Sequence, residues 1–100
     1  MIAAIPIDRA TIAEFCRQRH IRRLALFGSV LRPDFSPASD VDVLVEFEPD
    51  HTPGLDFFGF QDELSRMFGR PVDLNTPACF SSPLRERIQA SSETVYAAQG

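Results

Sequence analysis

Two aspartates, Asp40 and Asp42, stand one residue apart where an apolar segment begins. The segment from Val41 to Phe47 places Val or Phe at every second position, which predicts a β-strand. Both carboxylates then lie on the opposite face of that strand, together with Glu46. Like charges this close destabilise a strand and raise each other's pKa unless a cation lies between them. The pair therefore indicates a site for a divalent cation.

A third aspartate, Asp73, lies in the short apolar segment Pro71 to Leu74, which predicts another strand of the same sheet. Magnesium prefers carboxylate oxygens and keeps its other positions for water and phosphate. Three carboxylates can complete a two-metal site, with ions about 3.5–4 Å apart on either side of a transferred phosphoryl group. The alternative is structural: Asp40 caps a loop and Asp42 faces solvent, as in most isolated Asp-x-Asp pairs.

A phosphate site is indicated just upstream of the aspartates. Gly28 ends a predicted buried strand and lets the backbone approach a phosphate without a Cβ in the way. Ser29 offers a hydroxyl and an N–H at the start of a helical turn, and Arg32 can reach the same anion one turn later. Each residue alone is typical of an ordinary turn or surface. Their combination with the aspartates favours a nucleotide site.

The rest of the pattern predicts helices and strands in alternation. Asp8 is a good helix N-cap, Gly69 ends a second helix, and Ser82 with Pro83 begins a third. The predicted helices cover Arg9–Arg19, Leu55–Phe68 and Leu84–Ala90, and the predicted strands cover Arg23–Phe27, Val41–Phe47, Pro71–Leu74 and Thr94–Ala97. This order predicts an α/β (α+β) fold in which helices flank a small sheet.

Composition narrows the class of protein. A chain of 100 residues, with 44% apolar and 24% charged residues, is expected to form a single globular domain over residues 1–100. No apolar run is long enough to span a bilayer and the first residues lack a secretory signal pattern, so we expect a cytoplasmic protein. The net charge of −4 argues against broad nucleic-acid binding. All ten basic residues are Arg, which excludes a catalytic lysine.

Cysteine and histidine add no predicted site. Cys16 and Cys79 are far apart and are expected to be free thiols. His20 and His51 have no neighbours at metal-ligand spacing, so neither is assigned a role. His51 approaches the aspartates only if its loop folds back.

The spacing of these motifs resembles a known family. Gly28-Ser29, then ten residues, then Asp40-Val41-Asp42 is similar to the signature of the DNA polymerase β-like nucleotidyltransferases. "PVDLNTP" with Asp73 and "PLRERI" extend the resemblance over nearly the whole chain. More narrowly, the chain resembles the minimal nucleotidyltransferases (MNT) of prokaryotic MNT/HEPN toxin–antitoxin pairs. The resemblance implies the nucleotidyltransferase fold, with a small mixed sheet and flanking helices.

The resemblance also implies an activity: transfer of AMP from ATP, with two Mg²⁺ ions, to a tyrosine hydroxyl of a cognate HEPN ribonuclease toxin. Asp40, Asp42 and Asp73 would be the catalytic residues and the metal ligands. The residues that would bind the nucleotide phosphates are Gly28, Ser29, Arg32 and Ser39. The chain would act as a type VII-like antitoxin in a hetero-oligomer, without a membrane or nucleic-acid partner.

Three aromatic residues are relevant to the question of a partner: Phe57, Phe58 and Phe60. They occupy nearly adjacent positions of one predicted helix and cannot all face one core, which favours contact with a partner for one of them.

Two other functions stay open. Pro33 follows Arg32 where family members often have Gly, which favours a catalytically weak antitoxin that neutralises its toxin by steric binding. Alternatively, the chain is the catalytic subunit of a two-component enzyme that modifies a small molecule. Binding of nucleotide and Mg²⁺ separates a transferase from the steric antitoxin. The mass of the modified acceptor separates a protein substrate from a small molecule.

Overall fold

Four strands and three helices make up the structure, a computed structural model that describes residues 8–28, 40–51 and 53–98. The elements in chain order are α1 (Arg9–Gln18), β1 (Ile21–Phe27), β2 (Val41–Phe47), α2 (Asp56–Phe68), β3 (Val72–Asn75), a 3-10 turn (Pro77–Cys79), α3 (Ser82–Ser91) and β4 (Glu93–Ala97). The sheet order is β3-β2-β1-β4, with β1 antiparallel to both neighbours and β2 parallel to β3. The predicted mixed sheet with flanking helices is confirmed.

One face of the sheet is buried beneath α1 and α2. Val41, Val43 and Val45 are fully buried there, as the alternation of β2 predicts. Helix α1 contributes Ile12 and Cys16, which are 2% and 0% exposed, to this buried layer. Each fully buried Val, Leu or Ile side chain contributes roughly 1.5–3 kcal/mol relative to its exposed state. This layer fixes the position of β2, which carries the aspartates at its beginning.

Both thiols are free, as predicted. Cys16 lies within the core, where burial raises its pKa to about 12 against the opposing effect of Arg19 and Arg17. Cys79 is exposed. The two thiols therefore differ in accessibility as well as in position.

Helix ends depart slightly from the predictions. Helix α1 ends at Gln18, and Arg19 is its C-cap. Helix α3 begins at Ser82 with Ser81, not Ser82, at the N-cap, because Ser81 has the extended backbone (φ −65°, ψ 157°) of a residue that precedes a helix. Pro83 then lies in the first turn, which its fixed φ favours.

Helix α2 gives the larger correction. It begins at Asp56, and Leu55 precedes it with 86% of its surface exposed. Phe58 is 64% exposed as well. The inner face of α2 is filled by Leu64, with Phe57, Phe60, Met67 and Phe68 packed around the core.

The strand ends also differ by one or two residues. Strand β1 begins at Ile21, β3 covers Val72–Asn75, and β4 begins at Glu93 and lies at an edge of the sheet, as predicted. No helix in the described part of the chain is long and apolar enough to cross a membrane.

Candidate active site

Sheet pairing brings two of the predicted aspartates together. Asp42 of β2 pairs with Asp73 of the parallel strand β3 and with Phe27 of the antiparallel strand β1. Side chains of paired residues point to the same face of a sheet, so the carboxylates of Asp42 and Asp73 are neighbours. Asp40 lies just before β2 and is exposed, as is Asp73. The structure therefore places Asp73 of β3 beside the beginning of β2, where Asp40 and Asp42 lie.

The electrostatics of this cluster are unfavourable for an ionised carboxylate. Burial raises the pKa of Asp42, and the negative charges of Asp73 and then Asp40 raise it further. None of the three forms an ion pair with another residue in the ranges 8–28, 40–51 and 53–98. Within that part of the chain, the repulsion among the three charges is not compensated by a basic side chain.

Gly28 is pressed against this cluster. It has φ +77°, a conformation that L side chains rarely adopt. A Cβ at this position would overlap the Asp42 carboxylate oxygen Oδ2. The glycine therefore lets the backbone after β1 pass directly beside Asp42. Its predicted contact with a phosphate stays a prediction, and the other predicted phosphate ligands, Ser29, Arg32 and Ser39, lie outside the described residues.

Glu46 shares the face of Asp42 but has a different environment. Arg22 and Arg23 donate to its two carboxylate oxygens over 2.9 and 3.1 Å. Burial acts to raise the pKa of Glu46, but the hydrogen bonds from Arg23 and Arg22 outweigh it and hold the pKa below its ordinary value. A β-bulge makes this pairing possible, because the register between β1 and β2 shifts between Ile21 and Arg23.

The bulge has a second effect at the beginning of β1. It keeps Ile21 in the core, 1% exposed, while both following arginines reach the same carboxylate. Glu46 is therefore part of a structural ion pair network, although the alternation of β2 groups it with the aspartates.

The donor chemistry of the aspartate cluster suits a hard divalent cation. Its three side chains offer only carboxylate oxygens, the donors that Mg²⁺ prefers. A bound cation would relieve the repulsion that raises the pKa of Asp42. The exposure of Asp40 and Asp73 leaves the cluster open to a substrate.

Sequence reasoning missed a second cluster, at the other end of β2. His20, Glu48 and His51 place one potential ligand atom each within 4.8 Å of one another. The loop after β2 does not bring His51 to the aspartates, because its ring stacks on that of His20 with centroids 3.8 Å apart. The two histidines flank predicted strands, so an antiparallel pairing of those strands was the signal that could have joined them.

Comparisons with known proteins bear on the family of this chain. The family model described as "Nucleotidyltransferase domain" matches residues 9–97. A provisionally named protein adenylyltransferase of Methanocaldococcus jannaschii is 38% identical over 65 residues, which make up 63% of each chain. This chain thus aligns with less than two thirds of that relative.

Two solved structures have the same fold. One, of a provisionally named minimal nucleotidyltransferase, has a TM-score of 0.71 and 30% identity, covering 84% of this chain and 85% of that chain. The other, of a tri-AMPylated Shewanella oneidensis HEPN toxin in complex with an MNT antitoxin, has a TM-score of 0.63 and 18% identity, covering 91% and 71%. At that identity the second likeness concerns the fold alone.

The family match runs from α1 to β4 and includes Gly28, Asp40, Asp42 and Asp73. The described sheet is the mixed sheet that the polymerase β-like nucleotidyltransferase fold requires. The chain therefore belongs to the nucleotidyltransferase domain family.

Proposed function

We propose that this chain transfers AMP from ATP to a tyrosine hydroxyl of a cognate HEPN toxin and so acts as its antitoxin. The observation that carries the proposal is the group of carboxylates where β2 begins. Asp42 pairs there with Asp73, and no basic side chain among residues 8–28, 40–51 and 53–98 forms an ion pair with them. A structural role does not account for three acidic groups that destabilise one another. A site for a cation and a polyphosphate does, in a chain of the nucleotidyltransferase family.

One group of residues would hold the metal, and another would bind the nucleotide. Asp40, Asp42 and Asp73 supply the oxygens that would hold Mg²⁺, and the bound metal would neutralise the charge of the triphosphate. Gly28 brings its own backbone close to Asp42, beside the proposed metal ligands. Ser29, Arg32 and Ser39 are proposed to bind the phosphates. Catalysis then rests on positioning and on charge neutralisation.

The transfer itself is a displacement at the α-phosphorus. The acceptor oxygen forms a bond to the α-phosphorus, and the bond from that atom to the oxygen bridging to the β-phosphate breaks. Pyrophosphate leaves with the electron pair, and Asp73 accepts the proton of the hydroxyl. Asp73 suits this role because it is exposed and lies on the edge strand β3, where a bulky acceptor can approach.

The surface also offers contacts for a protein acceptor. Leu55 and Phe58 are 86% and 64% exposed, whereas the neighbouring Phe57 and Phe60 pack against the core. Phe58 is therefore the member of the Phe57, Phe58 and Phe60 group that is available to a partner. The structural neighbour from Shewanella oneidensis, an AMPylated HEPN toxin with its MNT antitoxin, supports a partner of that class.

The test uses this chain co-expressed with the HEPN protein of its native cells. The purified pair is incubated with Mg²⁺ and ATP labelled at either the α- or the γ-phosphate. We expect label from the α-phosphate alone on the toxin, and none with Asp42→Asn. Glu46→Gln, a change on the same face of the same strand, should still transfer label. Transfer from γ-labelled ATP, or an unlabelled toxin bound equally by wild type and Asp42→Asn, would contradict the proposal.

A further inference from the structure

A second cluster of potential ligands lies at the far end of β2. His20 directly precedes β1, and Glu48 directly follows β2. Glu48 donates its backbone N–H to the His20 carbonyl over 2.9 Å, and His51 donates to the Glu48 carbonyl over 3.0 Å. Six residues of extended strand separate Glu48 from Asp42, a distance of about 20 Å. The cluster is thus separate from the proposed active site.

The backbone holds the two histidines face to face. His20 itself has a left-handed backbone, with φ 58°. Asp50, just before His51, is also left-handed, with φ 66°. The imidazole rings stack with centroids 3.8 Å apart and an interplanar angle of 13°. The hydrogen-bonded turn and the strand pairing therefore bring the rings together from two different segments of the chain.

We propose that His20, Glu48 and His51 form a zinc site. Their ligand atoms lie within 4.8 Å of one another, and two imidazole nitrogens with one carboxylate oxygen suit Zn²⁺ far better than Mg²⁺. Zn–N and Zn–O distances are about 2.0–2.2 Å, so the three ligand atoms must move closer to one another to bind one ion. Both histidines are exposed, so their rings can turn to do so, and water can complete the coordination.

The surroundings are compatible with a dication. A cavity of about 430 Å³ borders both histidines, and Asp56 adds an acidic group to its wall. The positive charge on that wall, Arg19, is engaged elsewhere. It donates from Nε to the Glu63 carboxylate over 3.1 Å and lies 4.2 Å from the centroid of the Phe15 ring. A zinc ion here would tie the loop after β2 to the beginning of β1.

The test is a titration of the full chain with Zn²⁺ in excess Mg²⁺, measured by calorimetry. Any polyhistidine tag is removed beforehand. We expect one Zn²⁺ per chain. His20→Asn and His51→Gln should each weaken binding at least 10-fold; Asn suits the left-handed backbone of His20. The ring nitrogens of both histidines should shift in ¹⁵N NMR spectra on addition of Zn²⁺. Circular dichroism in EDTA checks that each variant is folded.

Three control variants separate this site from other zinc ligands. Cys79→Ser removes the exposed thiol, Asp42→Asn alters the aspartate cluster, and Asp50→Asn alters the acidic neighbour within the same turn. All three should bind Zn²⁺ as wild type does. The proposal is overturned if no stoichiometric binding occurs, or if it persists in His20→Asn and His51→Gln. Loss of binding in Cys79→Ser or Asp42→Asn would assign the zinc to another site.

Discussion

The two ends of β2 place carboxylates of one strand face in opposite environments. Near the beginning, Asp42 is beside Asp73 and Asp40, and burial with these like charges raises its pKa. Near the end, Glu46 accepts hydrogen bonds from Arg23 and Arg22, which hold its pKa below the ordinary value. Both side chains are half-buried on the same face of the sheet. Burial alone therefore does not distinguish them; their charged neighbours do.

The difference separates a structural carboxylate, Glu46, from Asp42, the carboxylate that we propose to be functional. The bulge in β1 gives Glu46 two arginines, and the resulting pairs stabilise the sheet without an external ligand. The aspartate cluster lacks such partners among residues 8–28, 40–51 and 53–98, so its charges favour binding of a cation. Carboxyl groups whose pKa is raised by burial and by neighbouring negative charges are typical of catalytic and binding sites.

The largest expected difference between the two ends is in activity. Asp42→Asn should lower AMP transfer at least about 100-fold, because it weakens binding of the Mg²⁺ that would neutralise the negative charge of the triphosphate. Glu46→Gln should retain transfer within a few-fold, since its contacts are to arginines of β1. Single-turnover transfer from α-labelled ATP measures both. Equal losses of transfer activity in Asp42→Asn and Glu46→Gln would contradict the proposed difference between the two ends of β2.

The glycine beside Asp42 can be tested against a second glycine of similar conformation. Gly28 and Gly69 have φ +77° and +70°, and only Gly28 faces a side chain within 4 Å. An alanine at either position should lower the free energy of unfolding by about 1–2 kcal/mol through backbone strain. Gly28→Ala should also displace Asp42 and lose transfer activity, whereas Gly69→Ala should keep it. Urea denaturation measures the free energy of unfolding, and the transfer assay measures activity. Full activity of Gly28→Ala would contradict the claim that a side chain at this position displaces Asp42.

The arginine pairs of Glu46 predict a pH dependence of stability. A carboxyl whose pKa is lowered by folding stabilises the protein above its unfolded pKa, about 4.3, and this contribution is lost as the pH falls through the folded pKa. Glu46→Gln should therefore lower the free energy of unfolding by about 1 kcal/mol at pH 7 and by progressively less below about pH 5. Urea denaturation in EDTA measures this difference across the pH range.

A second surface pair provides the control for Glu46. Glu14→Gln removes the exposed i,i+3 pair with Arg17 and should change stability by less than about 0.5 kcal/mol. A difference for Glu46→Gln that does not vary with pH would show that the arginine pairs do not stabilise the sheet.

The smallest predicted effect has the opposite sign. A carboxyl whose pKa is raised by folding destabilises the protein once the pH exceeds the folded pKa, so Asp42→Asn should raise stability at pH 7 by about 0.2–1 kcal/mol in EDTA. Excess Mg²⁺ should stabilise the wild type more than Asp42→Asn. Asp62→Asn, an exposed change on α2, should alter neither value by more than about 0.5 kcal/mol. Destabilisation by Asp42→Asn in EDTA would show that the Asp42 charge is already compensated.

Much of this arrangement could be predicted from the sequence because it depends on local periodicity. The bounds of β2 are as predicted, and the alternation of Val41, Val43 and Val45 identifies the buried face and hence the face of Asp42. The place of Asp73 on another strand of the same sheet was predicted from a short strand pattern, whereas its pairing with Asp42 was not predictable. Local pattern thus gives the composition of the aspartate cluster.

What could not be predicted depends on contacts between distant segments. The bulge that directs Arg22 and Arg23 to Glu46 leaves no mark in the alternation of β1. The stacking of His20 on His51 depends on two left-handed turns and on strand register. The overlap that makes Gly28 necessary beside Asp42 likewise becomes visible only when β1 and β2 are paired.

The most direct test of the central claim is the intact mass of the proposed HEPN partner, purified together with this chain from its native cells. Wild type is compared with Asp40→Asn/Asp42→Asn and with Glu46→Gln. We predict a partner heavier by whole AMP units with wild type and Glu46→Gln, and an unmodified partner with the double variant. An unmodified partner bound equally by all three chains would mean that the carboxylates at the beginning of β2 do not serve nucleotidyl transfer.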